Sequence, residues 1–242
     1  MNLQEVLEFR RSVRVFDTTQ KLDHAKVEQM LRMSTLAPNS SNMQLWEFYH
    51  VTSAPILERL IEPCLNQSAV RTASDLVVFV TRRDLHRKRA KAVLSYEEGN
   101  IRRNSPPEAQ ERRIKDRYLY YGKVMPLLYS SFFRLIGLFR KAMVNVIGLF
   151  RPIVYEVSES DMRGVLHKTS ALAAQTFMIA MANEGYDTCP LEGIDSRRVK
   201  KILGLPYHAE ITMIVACGVR KGNEGIWGDR YRVPFEEVYH KV

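Results

Sequence analysis

The stretch VLHKTSALAAQTFMIAMANEGYD, residues 165–187, decides the fold, because small and apolar residues surround most of its circumference as a helix. This pattern predicts a helix that is buried on nearly all sides, and Gly185 is its predicted C-terminal stop. Such a helix belongs to the packed core of a globular domain.

Three apolar or aromatic runs around this helix predict strands, at residues 46–51, 75–81 and 210–218. The second run is β-branched and has the length of a buried strand, so we expect it to lie centrally in a sheet. Helical patterns predict helices at 3–9, 22–38, 54–71 and 196–205. Strands separated by many helices indicate a mixed α/β or α+β domain, and no internal repeat or linker divides residues 1–242.

Composition excludes several classes of protein. With 45% hydrophobic and 26% charged residues the chain is an ordinary globular protein rather than a disordered one. Cys64, Cys189 and Cys217 are far apart and lack CxxC spacing, which argues against a disulfide framework or a cysteine-rich zinc site. Residues 1–16 alternate apolar and charged positions, whereas a secretory signal needs a continuous apolar run. We therefore expect a reducing, cytoplasmic location.

The net charge of +9 arises mainly from residues 82–123, which are polar and interrupted by Pro106-Pro107. We interpret this segment as helices that project from the body with a solvated basic face. Nucleic-acid binding is not favoured, because no RNP motif, zinc-finger spacing or basic leucine zipper accompanies the charge.

Residues 124–157 are strongly apolar but are broken by Arg134, Arg140, Lys141 and Arg151. No uninterrupted apolar run approaches the roughly 20 residues of a membrane-spanning helix. Two interpretations stay open. The favoured one is a helical pair buried against the body or a partner subunit, and the other is an amphipathic element that lies on a membrane surface.

The common catalytic motifs are missing, since the sequence has no GxSxG, HExxH, Walker or GxGxxG pattern. The six histidines have no metal-ligand spacing, so no metal site is predicted.

Two basic clusters at opposite ends of the chain suit an anionic ligand. Arg10, Arg11 and Arg14 surround Ser12, and Arg230-Tyr231-Arg232 lies near the C-terminus. Guanidinium groups and a hydroxyl form a natural receptor for a phosphate. Alternatively, Arg10 and Arg11 could lie at the end of the first helix, where their charges interact favourably with the helix dipole. The amide-and-turn segments at 39–44 and 190–193 could bond the edge of a heterocycle.

In this order the clusters resemble the nitroreductase family of FMN-dependent flavoproteins. The resemblance rests on RRSVRVF at 10–16, LAPNSSNMQLWEFYHV at 36–51, GYDTCPLEGID at 185–195 and RYRVPFEEV at 230–238. It implies an α+β fold, a three-layer α/β/α arrangement with a central mixed, mainly antiparallel sheet flanked by helices. One domain would span residues 1–242, with a variable helical insertion at about 82–157. Asn39 and Leu45 depart from the Ser and Pro that are usual in the family.

The resemblance also implies roles for individual residues. Arg10, Arg11 and Ser12 would hold the FMN phosphate and ribityl end, Arg14 would face the pyrimidine edge, and Arg230 and Arg232 would complete the phosphate grip. The remaining contacts with the flavin would come from Asn42 and Gln44, from Pro190, Leu191, Glu192 and Gly193, and, from the second subunit of an intertwined homodimer, from Pro38, Asn39 and Ser40.

The predicted function is electron transfer from NADH or NADPH to nitroaromatic, quinone or similar electron-poor acceptors by a ping-pong mechanism. The flavin carries this chemistry, so no side chain is assigned as catalytic. Two alternatives concern residues 82–157. In the first, the protein binds a flavin and this segment contacts an anionic membrane surface or nucleic acid. In the second, the segment forms a lid over the active site of the opposite subunit.

Overall fold

The structure is a computed structural model that describes residues 1–131 and 135–242. The strands are β1 Trp46–Val51, β2 Asp75–Thr81, β3 Asp187–Leu191 and β4 Glu210–Gly218. The helices are α1 Leu3–Phe9, α2 His24–Ser34, α3 Ala54–Ile61, α4 Ser68–Thr72, α5 His86–Asn104, α6 Pro107–Arg117, α7 Met125–Tyr129, α8 Leu135–Gly148, α9 Glu159–Asn183, α10 Ser196–Leu203 and α11 Phe235–Val238. A π-helical segment, Tyr118–Val124, connects α6 to α7.

The strands form a sheet in the order β1-β2-β4-β3, and all three strand pairs are antiparallel. Every residue of β2 is buried, which confirms the prediction that residues 75–81 lie centrally. β3 was not predicted as a strand, since Pro190 and Leu191 were assigned to a turn segment. Pro190 is tolerated because β3 lies at the edge of the four paired strands, where a missing N–H costs no bond between them.

Helices cover both faces of the sheet, as the three-layer prediction requires. Helix α9 is the predicted buried helix, and its Ala173, Phe177 and Met181 are completely buried in one core cluster with β2 and β4. Ser158 and Asp161 form a capping box at its start, and Gly185 follows its end with a φ of +78°. On the other face α3, α4 and α10 contribute to a second cluster.

The segment between β2 and α9 is helical, as predicted, and part of it projects into solvent, since α6 buries no residue. Helix α8 buries Gly137, Arg140 and Val144 but exposes Leu138, Phe139 and several other apolar side chains. The expectation that residues 124–157 pack against the body is therefore correct for α7, whose Met125 and Tyr129 are buried in a core cluster, and for one face of α8. Arg134 lies outside the described residues.

Across residues 1–131 and 135–242, no helix combines the length and hydropathy that a membrane crossing requires.

Candidate functional site

The two ends of the chain meet beside β3. Residue Ser12 forms a parallel bridge with Thr188, and the Val13 N–H donates to the Thr188 carbonyl over 3.1 Å. On the other side, the Arg14 N–H donates to the carbonyl of Gly225 over 2.9 Å. Residues 10–16 thus run between the edge of the sheet and the segment that leads into the C-terminal tail.

This junction forms a cavity of about 620 Å³, which we call the arginine cavity. It brings together both predicted basic clusters, Arg10, Arg11, Ser12, Arg14, Arg230 and Arg232. Five further residues line it that are not predicted as site residues, namely Ser68, Ile226, Trp227, Asp229 and Tyr231. Ser68 begins α4, and Gln67 separates it from Leu65 and Asn66. The positive φ angles of Leu65 and Asn66 break the helix that is predicted over 54–71.

Arg230 lies at the C-terminal end of α1. Its guanidinium donates to the carbonyls of Leu7 over 2.9 Å and of Glu8 over 3.0 Å, and also to that of Arg10. Arg10 is the C-cap residue of α1, since its N–H donates to the Val6 carbonyl over 2.9 Å, and Arg230 bonds further carbonyls at the same helix end. Arg230 thus donates three hydrogen bonds to backbone carbonyls. These bonds hold the basic cluster together and leave Arg230 with fewer donors for a ligand.

The arginines form a positively charged surface. Burial and then the like charges of Arg11, Arg10 and Arg232 lower the pKa of the Arg230 guanidinium. A phosphate group in the cavity would relieve this repulsion and accept charge-assisted hydrogen bonds from the exposed or half-buried guanidinium groups.

A buried ion pair fixes α1 against β3. Arg220 donates through its backbone N–H and its Nε to the Asp187 carboxylate over 2.7 and 2.9 Å, and its Nη2 donates to the Phe9 carbonyl over 3.0 Å. Its guanidinium also stacks 4.2 Å from the centre of the Phe9 ring. Because Phe9 directly precedes Arg10, this contact sets where the basic cluster begins.

The segment Pro190–Gly193 lies near the arginine cavity without lining it. Gln67 donates through its Nε2 to the Gly193 carbonyl over 3.0 Å, and the neighbouring Ser68 lines the cavity. Cys189 is completely buried. Burial raises the pKa of its thiol, against the opposing effect of the Arg14 charge, which places Arg14 beside β3. The thiol is thus a core group, as the sequence suggested.

The loop at residues 38–44 does not contribute to the arginine cavity of its own chain. Ser41, Asn42 and Gln44 all have positive φ angles, between 47° and 53°, a conformation that costs energy in residues other than glycine. Asn39 stabilises the loop, because its Oδ1 accepts the N–H of Gln44 over 2.9 Å. Gln44 in turn donates through Nε2 to the Asn42 side chain over 3.0 Å.

This loop borders a different cavity, of about 440 Å³, which we call the apolar cavity. Ser40 and Ser41 line it, and the Ser41 hydroxyl lies 2.8 Å from the hydroxyl of Tyr120. Leu45, which departs from the family's Pro, is buried and packs with Met43. The predicted site residues therefore occupy two separate places in a single chain.

Two of the six histidines lie against carboxylates of the sheet. His50 lies 2.6 Å from a carboxylate oxygen of the buried Asp75, and His167 lies 3.1 Å from Glu210. Within the described ranges, no three side chains of His, Cys, Asp or Glu are grouped as metal ligands.

Comparisons with known proteins bear on the family and the fold of this chain. The sequence model of the nitroreductase family matches residues 7–219. The candidate NAD(P)H nitroreductase YdgI of Bacillus subtilis is 24% identical over 98% of this chain and 96% of its own length. The crystal structure of YdfN, a candidate nitroreductase of the same species, superposes with a TM-score of 0.73 at 20% identity, covering 99% of this chain and 98% of YdfN.

A candidate nitroreductase of Exiguobacterium sibiricum, solved in complex with FMN, superposes with a TM-score of 0.69 at 19% identity. The match covers 100% of this chain and 98% of that one. These superpositions establish a common fold.

Proposed function

The chain belongs to the nitroreductase family, and we propose that it is a homodimeric, FMN-dependent oxidoreductase. It takes electrons from NADH or NADPH and passes them to nitroaromatic, quinone or similarly electron-poor acceptors. Donor and acceptor use one site in turn, which predicts ping-pong kinetics. FMN, when bound, supplies the hydride and electron transfer.

The observation that carries this proposal is the arginine cavity. It joins Arg10, Arg11, Ser12 and Arg14 to Arg230 and Arg232 across the length of the chain, and its like charges suit the phosphate of FMN. In the proposed site, Arg10, Arg11, Ser12 and Arg232 bind the phosphate end. Arg230 chiefly positions them, because its guanidinium holds the end of α1.

The rest of the flavin site is proposed to come from two places. Arg14 and the segment Pro190–Gly193 run along β3 from the arginine cavity and reach the ring system. Asn42 and Gln44 bond its polar edge, while Pro38, Asn39 and Ser40 approach from the partner subunit. The contribution from the partner subunit fits the position of Ser40, which lines the apolar cavity and not the arginine cavity of its own chain.

The test is the visible spectrum of the purified protein, with the released chromophore identified by chromatography. We expect a yellow protein that releases about one FMN per chain. The Arg10→Ala variant should lose most of this FMN, because it removes a charged donor from the arginine cavity. The matched control is Arg32→Ala, which removes an exposed arginine paired with Glu28 on α2 and should keep full occupancy. A colourless wild-type protein that FMN cannot reconstitute would refute the proposal.

A second candidate role is contact with an anionic membrane surface, and the exposure of α8 favours it. Leu138 is 70% exposed and Phe139 is 64% exposed, beside the basic Lys141. An apolar helix face flanked by cations is the pattern of an interfacial element. We expect co-sedimentation with phosphatidylserine vesicles that weakens steeply as salt rises, and its loss in a Leu138→Glu, Phe139→Glu variant. Failure of the wild-type protein to sediment at low salt would remove this role.

A further inference from the structure

The apolar cavity contains a buried guanidinium that forms no ion pair with the residues that the structure describes. The cavity lies between the π-helical segment Tyr118–Val124, α7, α8 and the start of α9. Its volume of about 440 Å³ is within the range of small-molecule sites. Its wall is mostly hydrophobic and includes Leu127, Met143, Val144, Val157 and Met162.

Arg140 of α8 is the only cation among the described residues that line this cavity, and Glu156, which is exposed, is the only anion among them. Arg140 is 2% exposed. Its Nε donates to the Val157 carbonyl over 2.7 Å. Its Nη1 donates to the carbonyls of Leu127 and Ser130 over 2.8 and 3.0 Å. Its Nη2 is buried and, in the part of the chain that the structure describes, has no hydrogen-bond partner.

The hydrogen bonds that the structure describes for Arg140 pair its positive charge with no carboxylate. Its three acceptors are neutral carbonyls, and none of the ion pairs among the described residues includes it. Arg83 lies close by, since its Nη2 donates to the same Ser130 carbonyl over 2.8 Å. Burial and then the charge of Arg83 lower the pKa of Arg140, while Glu159 opposes them.

A buried guanidinium with unused N–H bonds is costly, and a neutral side chain that bonded the same carbonyls would avoid that cost. An entering carboxylate would reduce it by accepting the free Nη2 donors. In this position little water screens the attraction, so the charge pair is stronger than on an open surface.

We infer that the apolar cavity binds a hydrophobic monocarboxylate, with the carboxylate on Nη2 of Arg140 and the apolar body against Leu127, Met143 and Val144. The cavity also includes Ser40 and Ser41, from the loop proposed to reach the flavin. That this ligand is an electron acceptor, rather than only a bound molecule, rests on the proposed function.

The test compares two ligands of nearly equal shape. Isothermal titration of the FMN-saturated wild-type protein with 4-phenylbutyrate and with its neutral analogue 4-phenylbutanamide separates the charge from the apolar contacts. FMN saturation keeps the acid out of the arginine cavity. We expect the acid to bind at least about tenfold more tightly than the amide. Equal affinities would overturn the inference.

Variants assign the binding to this cavity. Arg140→Met removes the charge at similar volume, so the acid should lose its advantage while the amide keeps its affinity. The control Lys141→Met removes the neighbouring cation of α8, whose Nζ bonds the Tyr155 carbonyl, and it should change neither affinity. Should Arg140→Met fail to fold, Val144→Phe fills the cavity and should weaken both ligands at least about tenfold. Unchanged binding to Val144→Phe would place the ligand elsewhere and refute the inference.

The FMN content of the same samples reports the proposed function separately. A colourless protein that FMN cannot reconstitute, and whose preference for the acid is lost in Arg140→Met, would refute the proposed function and support the carboxylate site. A yellow protein that binds the acid and the amide equally would support the proposed function and refute the carboxylate site.

Discussion

Gly225 lies where the two ends of the chain touch. A substitution there therefore tests whether the arginine cavity depends on the close packing of these two segments. A Cβ atom at this position would lie 2.7 Å from the Val15 carbonyl oxygen and 3.0 Å from Cβ of Arg220. We expect Gly225→Ala to move the tail away from residues 10–16 and to destabilise the protein by about 1–3 kcal/mol. FMN affinity should fall with it, as measured by fluorescence titration.

The matched control for this prediction is Gly164→Ala in α9, where a Cβ atom would meet nothing within 4 Å. Because alanine is the better helix former, this variant should gain about 0.5–1 kcal/mol and keep its FMN affinity. If Gly225→Ala had the same melting temperature and the same FMN affinity as the control, the close packing of Gly225 against Val15 and Arg220 would have no part in forming the site.

The two basic clusters of the arginine cavity could be recognised in the sequence because their chemistry is local. Arginines next to a serine suit a phosphate wherever the chain places them. The role of Arg230 could not be predicted, because its acceptor carbonyl on Glu8 is 222 positions away. The left-handed turns at Ser41, Asn42 and Gln44 were also invisible, since none of these residues is glycine.

At the scale of elements, Glu210 connects the start of β4 to α9. It accepts hydrogen bonds from His167 and from Arg163. The His167 bond chiefly, against partial burial and with help from Arg163, lowers the pKa of Glu210 to about 2. A carboxylate with a depressed pKa stabilises the fold above its unfolded pKa near 4.5 and loses that contribution as the pH falls toward 2.

The Glu210→Gln variant therefore tests this junction by its pH dependence. It should melt below the wild-type protein at pH 6 to 7, and the gap in melting temperature should close as the pH falls from about 4.5 toward 2. Lys26→Gln, which breaks the surface pair with Glu184, is the control and should show little gap at any pH. A Glu210→Gln gap of equal size at pH 3 and pH 7 would contradict the assignment.

The elements that the sequence revealed are those whose own burial pattern is strong. β2 is apolar at nearly every position, and the small residues of α9 fit close packing on all sides. β3 lacked such a signal, because it has only five residues, includes Pro190 and begins with Asp187, which is buried through its ion pair with Arg220. Its identity as a strand depends on pairing with β4, a contact that local sequence does not encode.

For the whole molecule, the separation of the arginine cavity from the loop at 38–44 is the feature that calls for a second subunit. Ser40 lines the apolar cavity, whereas Arg10 lines the arginine cavity. If a proposed flavin site takes Arg10 from one chain and Ser40 from the other, then neither chain can complete it alone. The same arrangement would place residues 82–157, which we propose as an insertion, beside the site of the opposite subunit.

Mixed dimers distinguish this arrangement from a site within one chain. Arg10→Ala and Ser40→Trp homodimers should each bind FMN poorly, since every site has one damaged half. A purified heterodimer of the two variants carries both defects in one shared site and leaves the other intact. It should therefore recover about half of the wild-type FMN content and half of its quinone-dependent NADH oxidation. If Arg10 and Ser40 served the same flavin from the same chain, both sites of the heterodimer would be damaged, and neither FMN nor activity would return.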